Sequence, residues 1–154
     1  MHIAFAAMKY SMLSHGNDSA IVFDMERSLM LHGNTGPYLQ YTHARLKSIL
    51  RKLGSPAVGD IPRVAFDPLE HRLLVSALRL PEAIEDALEG FTPNVLANYL
   101  FGLASLANEF YHSHPVTQEP DEQKRTFRAA LVSAIALTLS RGFNLLGIEA
   151  PEEM

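Results

Sequence analysis

Hydrophobic positions recur at intervals of three and four along most of this chain, and no long stretch alternates with period two. That pattern predicts helix after helix and no sheet. Residues 3–14 make a short apolar helix, "HGNDS" at 15–19 a turn, and "AIVF" at 20–23 an extended connector. Asp24 can cap a helix over 25–32, with Glu26 in the first turn, where the helix dipole favours it, and Gly33 at its end. Thr35 or Asn34 caps the next helix. Pro37 stands in its first turn, where a missing N–H costs nothing, and Gly54 stops it after about Leu53. Leu39, Leu46, Ile49, Leu50 and Leu53 form its apolar side.

The stretch 54–67, "GSPAVGDIPRVAFD", reads as the longest loop. Asp67-Pro68 opens a helix carrying Leu69, Leu73, Leu74, Ala77 and Leu78, and Pro81 opens a short acidic one, "PEAIEDALEG", closed by Gly90. Thr92-Pro93 starts a long helix over 93–112, whose apolar face runs through Leu96, Leu100, Leu103, Ala107 and Phe110. After the loop "SHPVTQEPDEQ", the last long helix spans 122–141 through Phe127, Leu131, Ile135 and Leu139. Gly142 is expected to close it, and a turn over "NLLGI" leads to "EAPEEM". The fold class is therefore all-α, a helical bundle.

Composition narrows the function. With 154 residues, 47% of them apolar, the chain can build one domain with a core. Charged residues at 19% are too few for a disordered tail. A formal charge of −4 excludes a generally basic nucleic-acid binder and leaves room for a local patch. The lack of cysteine removes disulfides, thiolate metal sites and thiol catalysis, and fits a reducing compartment. The opening "MHIAFAAMKYSMLSH" has no basic start, is interrupted by Lys9 and precedes no cleavage site, so it reads as a buried helix and not a signal peptide. No apolar run approaches the length of a bilayer span.

No catalytic residue suggests itself. A Gly-rich phosphate loop, a His-Glu-x-x-His pair, a nucleophile elbow and a cysteine cluster are all missing. Of the seven histidines, His112 and His114 are two apart and point to different sides of a helix, so no metal site is expected. Carboxylates gather at 82–89 and 119–122, as on solvated faces and loops.

The helix over 36–53 carries more. At about 100° per residue its leucines share one arc, and Tyr38, Tyr41 and Arg45 share another, roughly a quarter-turn away. Tyrosine and arginine stack on bases, and a tyrosine ring loses little entropy when held. Arg45, Lys47, Arg51 and Lys52 make this the densest positive charge in the chain, attractive to a phosphate backbone. An equally physical reading has the tyrosines tucked into neighbouring helices and the cations solvating the helix C-terminus. Tyr99, Phe110 and Tyr111 divide the same way, with Tyr111 placed for exposure at a helix end beside His112.

Several long stretches resemble one family, the arginyl-tRNA synthetases of class I. "IVFDMERSLMLHGNTGPYLQYTHARLKSILRK" is similar to that family's passage from the catalytic to the C-terminal domain. "LANYLFGLASLANEFYHSHPV" is similar to a later helix and turn, and "LTLSRGFNLLGIEAPEEM" to its terminus with a final Met. The resemblance implies residues 1–33 as the tail of the catalytic-domain junction and 34–154 as a helical-bundle anticodon-binding domain, of the type named for a D-A-L-R motif. It also implies a cytoplasmic protein whose partners are arginine tRNA and the catalytic domain, with no DNA and no membrane. Tyr38, Tyr41, Arg45, Tyr111 and Met154 match the family's RNA-contacting pattern, and Lys47, Arg51 and Lys52 are expected to steer the backbone. Asn34 and His43 match as well, read as a cap and a packing residue. "FDME" at 23–26 departs from the family's acidic-tryptophan version, and Pro115 stands where some members carry an aromatic.

The family's adenylate-forming motifs, His-x-Gly-His-like and Lys-Met-Ser-Lys-Ser-like, do not occur here. This chain is therefore expected to hold no cofactor, since ATP and arginine would bind the missing catalytic domain, and to form no aminoacyl-adenylate alone. The rival expectation is a free-standing relative that acts as a protein-interaction module without RNA binding, consistent with the −4 charge and the acidic segments at 82–89 and 149–153. A third is that the catalytic half exists as a separate chain.

Overall fold

A computed structural model describes residues 2–54 and 61–154. Among the described residues the chain forms helices and no strand: α1 (His2–Leu13), α2 (Met25–Ser28), α3 (Gly36–Lys52), α4 (Pro68–Leu78), α5 (Leu80–Glu89), α6 (Pro93–Ser113) and α7 (Glu122–Leu145). Among the described residues no helix is long and apolar enough to cross a membrane. Part of the long loop expected over 54–67 lies outside the described residues.

The core sits where α6 and α7 cross. Leu100, Leu103, Phe110, Ile135, Leu139 and Phe143 are all at most 1% exposed there. Burying side chains of that size contributes about 1.5–3 kcal/mol each, before the entropy of ordering them. Helix α7 runs straight through Gly142, the expected stop, and ends at Leu145. Gly142 is an interhelical contact: a Cβ built there would overlap Leu100 Cδ2, so only glycine lets α7 approach α6 this closely. The chain turns instead at Gly147, whose φ of 64° lies in the left-handed region that favours glycine.

Helix α3 lies against α1, α6 and α7. Thr35 is its cap, the Oγ1 accepting from Tyr38 N at 3.2 Å. Asn34 does not cap the helix. Its Oδ1 lies 2.5 Å from the buried Tyr10 hydroxyl, which is also 3.0 Å from the Ala97 carbonyl. Burial pushes the Tyr10 hydroxyl well above its ordinary pKa, so it stays a neutral donor between α3 and α6. Just after Asn34, a Cβ on Gly36 would overlap the Ala6 carbonyl oxygen, which fixes how near α1 can come. Helix α2 keeps its expected cap, Asp24 Oδ1 accepting from Arg27 N at 3.1 Å, yet it ends at Ser28, short of residue 32. None of its residues is buried, and a short helix without a packed face does not propagate.

Two polar clusters fix the ends of the long helices. Arg128 and Glu70, 4% and 0% exposed, pair at 2.7 Å through Nε and Oε1, and Arg128 Nη1 reaches Glu119 Oε2 at 2.5 Å. Glu70 Oε2 also accepts from Asp67 N at 3.0 Å, completing a reciprocal capping box at the start of α4. His114 Nε2, just past α6, lies 2.5 Å from Asp67 Oδ2. Burial pushes the Asp67 carboxyl up, but the Glu70 N–H and the His114 ring together hold it below the usual range.

Beyond Gly147 the C-terminal tail lies along α3. Gln40 Nε2 donates to the Glu149 carbonyl and His43 Nδ1 to that of Pro151, both at 2.8 Å, and Arg51 Nη1 donates to that of Glu152 at 3.0 Å. His43 is 4% exposed, edge-on to Phe143. Burial, the largest influence, lowers its pKa.

Two expectations arise from this packing. Gly36→Ala should lower the melting temperature because its methyl meets α1 backbone, with overpacking costing about 1–3 kcal/mol. Gly102→Ala, on exposed α6 surface with nothing within 4 Å of a built Cβ, should raise it, because alanine stabilises a helix by up to about 1 kcal/mol over glycine. A thermal melt showing the reverse order would refute the close α1–α3 contact as the reason for glycine at residue 36. For His43, the unfolded chain takes up the proton first as pH falls. Its contribution to stability should be full above about pH 6.5 and disappear as pH drops through the lower folded value. Melts between pH 7.5 and 5 should show a loss that His43→Gln reduces.

Candidate nucleic-acid interface

One face of α3 presents Tyr41, Arg45 and Lys52, and the end of α6 presents Tyr111. The Arg45 guanidinium lies between two rings, 4.6 Å from the centroid of Tyr41 and 4.7 Å from that of Tyr111. Such cation–π contacts each contribute about 0.5–1 kcal/mol at an exposed site and more where water is excluded. They also hold the guanidinium in one plane. Asn108 sets the orientation: its Oδ1 accepts from Arg45 Nη1 at 2.7 Å, and its Nδ2 lies 2.8 Å from Thr42 Oγ1, 3.0 Å from Tyr38 Oη and 3.1 Å from the Ala104 carbonyl. A guanidinium has five N–H donors, so most of Arg45's hydrogen-bonding capacity points elsewhere than Asn108.

Beside this stack lies a concavity of about 430 Å³ walled by Tyr41, Arg45, Arg51, Lys52, Tyr111 and Met154. Tyr111 is 40% and Met154 47% exposed, so an aromatic face and a thioether are open to a ligand there. Tyr111 also lines a smaller hollow of about 250 Å³ with His112, Pro115 and Thr117. Six of the eight residues expected from the sequence thus share one wall. The other two do not. Tyr38 is half-buried, its ring tilted against Phe101 at 5.8 Å and its hydroxyl on Asn108, so it supports the stack from behind. Lys47 points to the tail, its Nζ 2.8 Å from Glu152 Oε1, and this contact holds the Glu152 carboxyl below the usual range. Arg51 shares its guanidinium between the concavity and the tail, with Nη2 at 3.5 Å from Glu153 Oε1.

Two residues matter that sequence reasoning passed over. Asn108 joins α6 to α3, and its only signal was an amide one turn beyond Ala104 on an otherwise apolar face. Gln40 pins the tail, and nothing in the sequence marked its partner, since residue 149 is remote in the chain. Elsewhere, Asp67, Glu70 and His114 bring ligand atoms within 4.8 Å of one another. The Arg128 guanidinium already engages Glu70, and His114 with two backbone N–H groups engages Asp67, so these oxygens are held by the protein's own groups. A wider groove of about 590 Å³ between α4, α5 and α6 mixes both signs of charge, with Arg79 on Glu82 and Arg72 near Glu109. It lies away from the aromatic stack.

Known proteins share this architecture. The chain is 42% identical to the arginine–tRNA ligase of Ignicoccus hospitalis over 99% of its own length and 24% of that protein. It is 39% identical to that of Thermobifida fusca, over 99% of this chain and 27% of the relative. Among solved structures, Thermus thermophilus arginyl-tRNA synthetase superposes with a TM-score of 0.90 at 37% identity, covering 99% of this chain and 27% of that one. The chain therefore spans about a quarter of the length of the curated relatives it matches. Residues 39–154, from the first turn of α3 to the final Met, match the DALR anticodon binding domain, and the chain belongs to that family.

Proposed function

We propose that this chain binds arginine tRNA at the anticodon region and, as part of an arginine–tRNA ligase, positions that tRNA for charging. The observation that carries the reading is the Tyr41–Arg45–Tyr111 stack at the mouth of the concavity. An unpaired base can lie on the open face of Tyr111, where stacking contributes about 1–3 kcal/mol. Arg45, held by Asn108, can offer its remaining N–H groups to a base edge or a phosphate. Lys52 and Arg51 on the rim attract the backbone, an attraction that weakens with added salt. Membership in an anticodon-binding family supports the partner class. In this reading the chain binds and does no bond-making, and ATP and arginine are handled by the catalytic part.

A second feature supports a place within a larger ligase. Helix α1 is apolar on both sides, as a helix buried on all faces is. Ala6, Ala7 and Tyr10 face the bundle, yet Ile3, Phe5, Met8 and Met12 are 40–52% exposed. Relatives about four times as long would supply the surface that covers them. The protein-interaction reading draws on the same face. The two differ in what the α3–α6 stack does.

Filter binding to arginine tRNA at low and moderate salt tests the proposal. Saturable binding should weaken as salt rises, and Tyr111→Ala should weaken it by about 1–3 kcal/mol. Arg45→Lys, which keeps the charge and loses the planar fork, should also weaken it. A folded chain that binds no RNA at low salt would sink the proposal and favour the protein-interaction reading. Separately, Phe5→Asp with Met12→Asp should abolish association with a separately expressed catalytic part of the ligase, measured by gel filtration, and leave tRNA binding in place. Undiminished association would exclude α1 as the contact.

A further inference from the structure

The tail carries two carboxylates against two of the cations expected to meet RNA. Lys47 Nζ is 2.8 Å from Glu152 Oε1, and Arg51 Nη2 is 3.5 Å from Glu153 Oε1. These are not chance contacts of a loose end. Three side chains of α3 (Gln40, His43 and Arg51) hold the carbonyls of Glu149, Pro151 and Glu152 at 2.8–3.0 Å, so the tail is tied to this helix at three points. His43, the middle anchor, is buried. The same tail delivers Met154 and Glu153 to the wall of the concavity. So the segment that completes the aromatic pocket also places negative charge beside it, on two cations of α3.

We infer that Glu152 and Glu153 are specificity determinants for RNA: by occupying Lys47 and Arg51 they suppress sequence-independent phosphate binding, so that affinity depends on the Tyr41–Arg45–Tyr111 pocket. The inference rests on the proposed function, because it concerns how that same interface chooses its RNA. Its physics is counterion release. Each cation that meets a phosphate on a single strand adds about 0.7 to the slope of log affinity against log salt, which at 0.1 M salt is about fivefold in affinity. That gain needs no particular base, but it does need a phosphate within reach of the cation. A cation already neutralised by a carboxylate gives up a contact to reach a phosphate, so the gain shrinks. Base stacking on Tyr111 is untouched by the exchange. An RNA seated on Tyr111 has its backbone held in register at the concavity, whose wall does not include Lys47. It therefore gains less from a freed Lys47 than an RNA that binds in any register. The carboxylates thus lower the background more than they lower binding to an RNA that fills the pocket.

The test compares Glu152→Gln/Glu153→Gln with the original chain and with Glu85→Gln/Glu89→Gln. The control makes the same change in net charge on exposed positions of α5, which packs on α4 and α6. Binding to arginine tRNA and to a uridine homopolymer is titrated from about 0.05 to 0.3 M salt, a range chosen around the roughly 0.15 M of physiological ionic strength. The tail variant should bind the homopolymer about five- to twenty-five-fold tighter near 0.1 M salt, with a salt slope steeper by about 0.7–1.4. Arginine tRNA should gain less, so the ratio between the two RNAs falls. Equal gains for both RNAs, or a gain no larger than that of the α5 control, would overturn the inference and leave the proposed function standing. If no form of the protein binds either RNA at any salt, the proposed function falls and the inference falls with it.

Discussion

The Asn108 side-chain amide is the joint on which the interface depends. One planar group from α6 reaches Arg45, Thr42 and Tyr38 of α3, along successive turns of one helix face. An amide offers an acceptor and two donors in fixed directions, so it can satisfy a guanidinium on one side and hydroxyls on the other. An aliphatic residue of the same size would fill the space and leave Arg45 to find water. The guanidinium would then be held between Tyr41 and Tyr111 by the two ring contacts alone, with nothing to set the direction of its N–H groups.

That joint works only because the two helices are held at a set separation. Leu100 against Gly142 lets α7 close on α6, and Ala6 against Gly36 lets α1 close on α3. Where bulk is forbidden, polar groups set direction: Tyr10 between Asn34 and Ala97 ties α1 to both α3 and α6. The Arg128–Glu70–Glu119 cluster and the His114–Asp67 pair fix where α4 begins and α6 ends, one turn from Tyr111. Removing one partner of the buried Arg128–Glu70 pair leaves a charge without compensation, which is far more damaging than never having had the pair. The exposed ring of Tyr111 thus sits on a rigid base.

The C-terminal tail connects the packing to the interface. Its carbonyls satisfy α3 donors, its end completes the concavity, and its carboxylates face α3 cations. By composition, the acidic terminus is a feature opposed to RNA binding. In the fold it is a rim of the concavity. The difference lies in its pairing: Glu152 and Glu153 act on their immediate neighbours over a few ångströms, and a net charge of −4 says nothing about that range.

The sequence alone determined the helices, because periodicity and caps are local. Asp24, Thr35 and Asp67 cap the helices that follow them, and the apolar faces of α3, α6 and α7 are the buried ones. It also separated Tyr41 and Arg45 from the leucine arc of α3, since a helical wheel needs only the order of residues. It misjudged Gly142 and the extent of α2, because whether a glycine ends a helix or lets another pass is decided by the neighbour, here Leu100, and whether a short helix continues is decided by burial. Which tyrosine supports and which is exposed, which cations are shared with the tail, and that Asn108 unites them depend on contacts between residues tens of positions apart. Those contacts exist only once the chain has folded, so tertiary structure alone decided them.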